Sequence, residues 1–154
     1  MGRRWWLNSF VRRRSHVMSK FEPSDAWMFL SVAYSAQDGP ATLEDFYAAA
    51  DHINCAIPTH DEIQGGINRL ATAGLLQVQD DRFILTEVGR KIFEGVSRQT
   101  PYPRMQPELV EQQLRSVKLT DAAHPYWELS AETSDAAFAR YSKRMKDALR
   151  KIRK

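Results

Sequence analysis

Apolar positions fall at helical spacing in six stretches of the chain and at strand spacing in one pair of short runs. A first helix is predicted after "EPSD", with Ser24 as its cap and Asp25 at its positive end. Trp27, Leu30 and Tyr34 share one side of it, Phe29, Val32 and Ala33 widen the stripe, and "QDGP" ends it. A second helix opens at Thr42, with Asp45 as capping-box partner, and buries Leu43, Phe46, Tyr47, Ala50 and Ile53. A third opens at Thr59, where Glu62 completes a cleaner box and Ile57 is placed to staple onto Ile63. Its Ile63, Ile67, Leu70 and Ala71 face inward; Asp61, Gly65, Asn68 and Thr72 face outward, with Arg69 on the flank.

The segment "AGLLQVQDDRFILTEVG" then changes the period. Gly74 suits the left-handed residue that ends a helix, and Leu75 covers that end. "LLQVQ" and "RFILT" are each of strand length, with Asp80-Asp81 as a two-residue turn. Leu76 and Val78 should face inward against Phe83 and Leu85, and a lone hairpin of this size needs helices to lean on. Thr86 caps a fourth helix whose Val88, Ile92, Phe93 and Val96 return to the core, and Gly89 permits close approach to a neighbour.

The order helix, helix, helix, hairpin, helix resembles the winged helix-turn-helix superfamily. The likeness covers residues 24–97 approximately and is carried by Leu70, Gly74, Leu75, Leu85, Thr86 and Gly89. It is greatest to bacterial regulators of the multiple-antibiotic-resistance and phenolic-acid types. In those, the third helix enters the major groove and the hairpin, or wing, touches the flanking backbone. "NCAIP" between the second and third helices departs from the tight turn of DNA-reading members. The fold class expected is therefore mainly α with a small β-hairpin: a winged-helix domain over 21–97, followed by C-terminal helices.

Residues 98–106, rich in proline, read as a linker. Beyond it, 107–154 form a helical extension. Pro107 starts a fifth helix aligning Val110, Leu114 and Val117; "DAAHPYWELS" forms a loop whose Tyr126, Trp127 and Leu129 need cover. The sixth helix, capped by Thr133 or Ser134, carries a stripe of Phe138, Tyr141, Met145, Leu149 and Ile152 for packing on its own domain or a second copy. Homodimerisation through these C-terminal helices is the expectation.

Charge is partitioned along the chain. Residues 1–20 form a basic arm, read as a disordered tail or as sequence ahead of a start at Met18, with six bases and no acid. Residues 21–139 hold eight bases against eighteen acids, and residues 140–154 hold eight bases against Asp147 alone. The basic character thus belongs to the ends, and the middle is acidic. No apolar run is long enough to cross a bilayer. A single cysteine, Cys55, excludes an internal disulfide and suits a reducing compartment, so a cytoplasmic protein without membrane association is expected.

Three chemistries compete for the surface. For DNA, the resemblance to winged helices implies that Thr59, His60, Gln64, Asn68, Arg69 and Thr72 face the groove and that Arg82 serves the wing. Asn68 and Gln64 match adenine and Arg69 guanine. Asp61, Asp80 and Asp81 would repel phosphates on the same face, which speaks for the alternative of a protein-interaction adaptor, but the family resemblance keeps a small DNA-binding transcriptional regulator slightly ahead. His52, Cys55 and His60, with Asp51, are ligand types that zinc accepts, but they lack a standard ligand repeat; Cys55 reads instead as a small buried residue. No phosphate loop, nucleophile elbow, HExxH or dinucleotide turn is present, so neither catalytic residues, a metal nor a cofactor is expected. Gly65-Gly66 follows no strand and reads as a close-packing site against the first helix or a partner's backbone.

Overall fold

The computed structural model describes residues 20–119 and 125–153; the arm over 1–19 and residues 120–124 of the C-terminal loop lie outside them. Six helices and one hairpin follow in order: α1 (Pro23–Ser35), α2 (Leu43–Asn54), α3 (His60–Thr72), β1 (Leu76–Gln79), β2 (Arg82–Leu85), α4 (Glu87–Gln99), α5 (Gln106–Leu114) and α6 (Ala131–Ile152). A single 3₁₀ turn, Pro103–Met105, leads into α5. The fold is mainly helical with one small antiparallel sheet.

α1 is the hub. Every residue from Asp25 to Ala33 is buried, so the helix is covered on all sides, as its nearly continuous apolar sequence requires. Its start differs from expectation. Glu22, not Ser24, occupies the cap position, Pro23 provides the preset first turn, and the Asp25 carboxylate accepts the Glu22 N–H at 2.8 Å. Trp27 donates its indole N–H to the Ala50 carbonyl at 2.9 Å, fastening α2 alongside.

Gly66 lets α3 cross α1 closely. A Cβ there would meet Met28 Cγ at 2.8 Å and Asp25 Oδ1 at 3.1 Å, so a side chain at this position would force those α1 side chains to shift. The predicted box at the start of α3 is present in both directions: Thr59 N–H donates to Glu62 at 2.7 Å and Glu62 N–H to Thr59 Oγ1 at 3.2 Å. Ile57 remains largely exposed, and buried Pro58 takes the position before the cap instead. At the other end, Gly74 adopts φ +77°, with Gly74 N–H donating to Ala71 O and Leu75 N–H to Leu70 O, both at 3.0 Å.

The hairpin pairs Leu76 with Leu85 and Val78 with Phe83, the register that puts all four on one face. Asp80 and Asp81 both take left-handed backbone, φ 52° and 57°, as a type I′ turn demands. A third rung was not legible in the sequence. Ala41, just before α2, exchanges two backbone bonds with Phe83, at 2.8 and 3.0 Å. One residue of pairing leaves no period to read.

α4 carries the predicted return to the core through Ile92, Phe93 and Val96, with Phe93 edge-on to Tyr34 at 5.2 Å. Val88 does not take part and is 58% exposed. The segment read as a linker is a fixed bracket. α4 runs on to Gln99, and the buried Gln106 carboxamide donates to Thr100 O at 2.9 Å while accepting from Tyr34 OH at 2.5 Å. Val110 and Leu114 of α5 are buried in the same apolar cluster as α1.

α6 begins three residues before the earlier of its expected caps, at Ser130, whose Oγ accepts Thr133 N–H at 3.1 Å. Ser134 is buried, in hydrogen-bond contact with Tyr47 Oη at 2.9 Å. Ala137 and Tyr141 are buried as well, and Tyr141 donates to Asp51. Burial and that carboxylate push the Tyr141 pKa up to about 12. Met145, Leu149 and Ile152 of the stripe remain exposed.

Two glycines of α4 separate packing from helix propensity. A Cβ on Gly89 would lie 2.1 Å from the Leu75 carbonyl oxygen, whereas one on Gly95 would meet nothing nearer than 3.9 Å. Gly89→Ala should cost about 3 kcal/mol in denaturant unfolding. Gly95→Ala should stabilise by about 0.5–1 kcal/mol. Equal effects of the two would remove the close approach as the cause.

Candidate functional site

His60, Gln64 and Asn68 recur every four residues and so form one row along α3. Residues 125–130, the strap that precedes α6, belong to no helix or strand and lie along this row. Asn68 Oδ1 accepts Trp127 N–H at 2.9 Å and its amide donates to Trp127 O at 2.8 Å, so one side chain satisfies both backbone groups of one residue. Gln64 Oε1 accepts Leu129 N–H at 2.8 Å and its amide donates to Tyr126 Oη at 3.1 Å. His60 Nε2 bonds to the Leu129 carbonyl. The row thus offers alternate strap residues what a neighbouring strand would offer: one donor and one acceptor in register.

Side chains complete the seal. Leu129 is buried, and the Trp127 ring stands edge-on to Phe83 at 5.3 Å and 88°. The Trp127 indole N–H donates to Asp81 at the hairpin turn at 2.8 Å. The strap therefore bridges α3 and the hairpin. Asn68, expected to face outward, is 3% exposed because the strap lies over it. The aromatic loop "PYWELS" was the signal for this cover, although the sequence did not say where it would dock.

Arg69 is also turned inward. Its Nε and Nη2 donate to the two carboxylate oxygens of fully buried Asp25 at 2.6 and 2.8 Å, and Glu22 lies 3.4 Å away. Burial alone would lower its pKa, but Asp25 and Glu22 outweigh it and hold the guanidinium charged, above its usual value. Asp25 is the partner the sequence reading missed, because a helix-start acid looks the same whether it serves the dipole or an ion pair.

The remaining candidates are scattered. Thr59 is engaged in its cap, Thr72 is half-buried at the far end of α3, and Arg82 is exposed on the hairpin. Around them the Asp61 side chain is 98% exposed, and Asp80 and Asp81 are exposed. Cys55 is exposed rather than buried, ends α2 in left-handed backbone at φ 50°, and has Arg104 Nη2 at 2.7 Å from its sulfur. Among the described residues no group of three His, Cys, Asp or Glu side chains is placed to hold a metal ion.

Comparison of the chain with protein-family models, curated proteins and solved structures finds no match. No helix among the described residues is long and apolar enough to cross a membrane.

Two predictions follow from this geometry. Arg69→Ala leaves Asp25 buried without a counter-charge and should cost about 3–5 kcal/mol in denaturant unfolding. Arg82→Ala at the exposed end of the hairpin should change stability by less than about 0.5 kcal/mol. The His60 pKa is raised, first by its bond to the Leu129 carbonyl and then by Asp61. A base raised in the folded state stabilises the fold fully below its ordinary value of 6.5 and loses that contribution as pH climbs through the raised one. The melting-temperature advantage of the wild type over His60→Gln should therefore be full below pH 6.5 and shrink as pH rises through the raised His60 value. An advantage that stays flat or grows would rule out that linkage.

Proposed function

We propose that the chain is a non-catalytic winged-helix interaction module whose α3 face receives an extended polypeptide, held in cis here by residues 125–130. The row of His60, Gln64 and Asn68 against the strap backbone is the observation that carries this. Side-chain amides paired to a main chain recognise extended conformation with little regard to sequence, while the Trp127 and Leu129 positions add preference. The element order supports the winged-helix assignment.

A transcriptional regulator reading DNA through α3 is less well supported. Asn68, Gln64 and Arg69, the three side chains suited to base edges, are all hydrogen-bonded within the chain. Asp61 and Asp80 add negative charge on the side where phosphates would lie.

The test uses the full chain with Trp127→Ala and Leu129→Ala to loosen the strap, and Trp127→Ala alone as the milder form. A labelled peptide of residues 125–130 should bind the loosened variants saturably, bind wild type weakly, and lose affinity when Asn68→Ala is added. Retention on random-sequence duplex should be the same with and without Asn68→Ala. No peptide binding to either loosened variant, or duplex binding that depends on Asn68, would overturn the proposal.

A further inference from the structure

The outer half of α6 carries an uncovered amphipathic surface. Every residue from Lys143 to Arg153 is exposed, including Met145 at 42%, Leu149 at 53% and Ile152 at 80%. At about 100° per residue, Met145, Ala148, Leu149 and Ile152 fall within an arc of about 100°. Lys146 and Arg153 line one edge of that arc, Arg144 and Lys151 the other, and Lys143 and Arg150 lie behind it.

The inner half is anchored differently. Arg140 pairs with Glu44 at 3.6 Å, and Arg144 lies 3.4 Å from both Glu44 and Asp45 of α2. Beyond that anchor, Lys143, Lys146, Arg150, Lys151 and Arg153 form no ion pair among the described residues.

Charge decides between occupants. A second α6 laid along this stripe would set basic edges against basic edges. The undescribed residues 1–19 hold five arginines and no acid, so they bring no counter-charge either. Nucleic acid would match the charge but offer the apolar stripe no place to bury. An anionic bilayer surface satisfies both, with acyl chains at the depth of the stripe and headgroups at the height of the flanking cations.

We propose that the outer half of α6 lies on an anionic lipid surface, its Met145–Leu149–Ile152 stripe at the headgroup boundary. The α2 anchor holds the helix out from the domain and fixes which face meets the lipid.

Co-sedimentation of the full chain with vesicles tests this. Binding is expected to phosphatidylcholine vesicles holding roughly one third phosphatidylserine, to fall with added salt, and to be weak on pure phosphatidylcholine. Leu149→Gln with Ile152→Gln should weaken binding by roughly tenfold. Lys146→Gln, Lys151→Gln and Arg153→Gln together should do at least as much. All five side chains are exposed, so thermal unfolding of both variants should match wild type. Three results would overturn the proposal. The stripe variant could keep wild-type affinity, which leaves charge alone, or the arm, as the cause. Wild type could bind both vesicles equally or neither. Wild type could be a dimer that the stripe variant makes monomeric without altering vesicle binding, which makes a second copy the occupant.

Discussion

In the fork between Asp25 and Arg69, the start of α1 and the last turn of α3 are fixed to each other by two hydrogen bonds between opposite charges that water scarcely reaches. The same carboxylate accepts the Glu22 N–H, so α1 begins where it is tied. One turn back on α3, Gly66 brings the two backbones close beside Met28. A bidentate pair tolerates little rotation about the helix axis. The fork therefore sets which face of α3 turns outward, and that face is the row of His60, Gln64 and Asn68. The strap, the hairpin contact through Trp127 and the seat of α6 all depend on that rotation.

Local rules made most of the element order legible. Capping boxes, a left-handed glycine and alternating apolar runs act within a few residues, and they located α3, the hairpin and α4 from sequence. Departures occurred where a distant partner decided the matter. Asp25 reads as a helix-start acid until Arg69 is brought to it, and Asn68 reads as surface until the strap arrives. Val88 fits a helical stripe, yet α4 is rotated so that it meets water. Prolines suggested a loose linker over 98–106, but a buried carboxamide at Gln106 makes it a bracket. Of the candidate residues on α3, His60, Gln64 and Asn68 meet the strap, Arg69 is turned to Asp25 and Thr59 serves its cap, and none of these partners was visible in their spacing.

The charge partition acquires a spatial meaning in the structure. Acids of α2 neutralise only the inner arginines of α6, so the helix changes character along its length, from a packed element to an exposed basic ridge. Of the acids at the hairpin turn, Asp81 is drawn to the strap by the Trp127 indole. Asp80 and Asp81 both hold left-handed backbone, which glycine or asparagine would adopt at lower cost. The indole bond gives Asp81 a compensating contact that glycine could not supply.

The row on α3 and the strap over it lie 59 to 69 residues apart in the chain. At ribosomal speeds of roughly 5–20 residues per second, α3 is made several seconds before its cover exists. Until then the His60 imidazole and the Gln64 and Asn68 amides have none of the strap groups they bond in the folded chain, so this face is the last of the α3 surface to be completed.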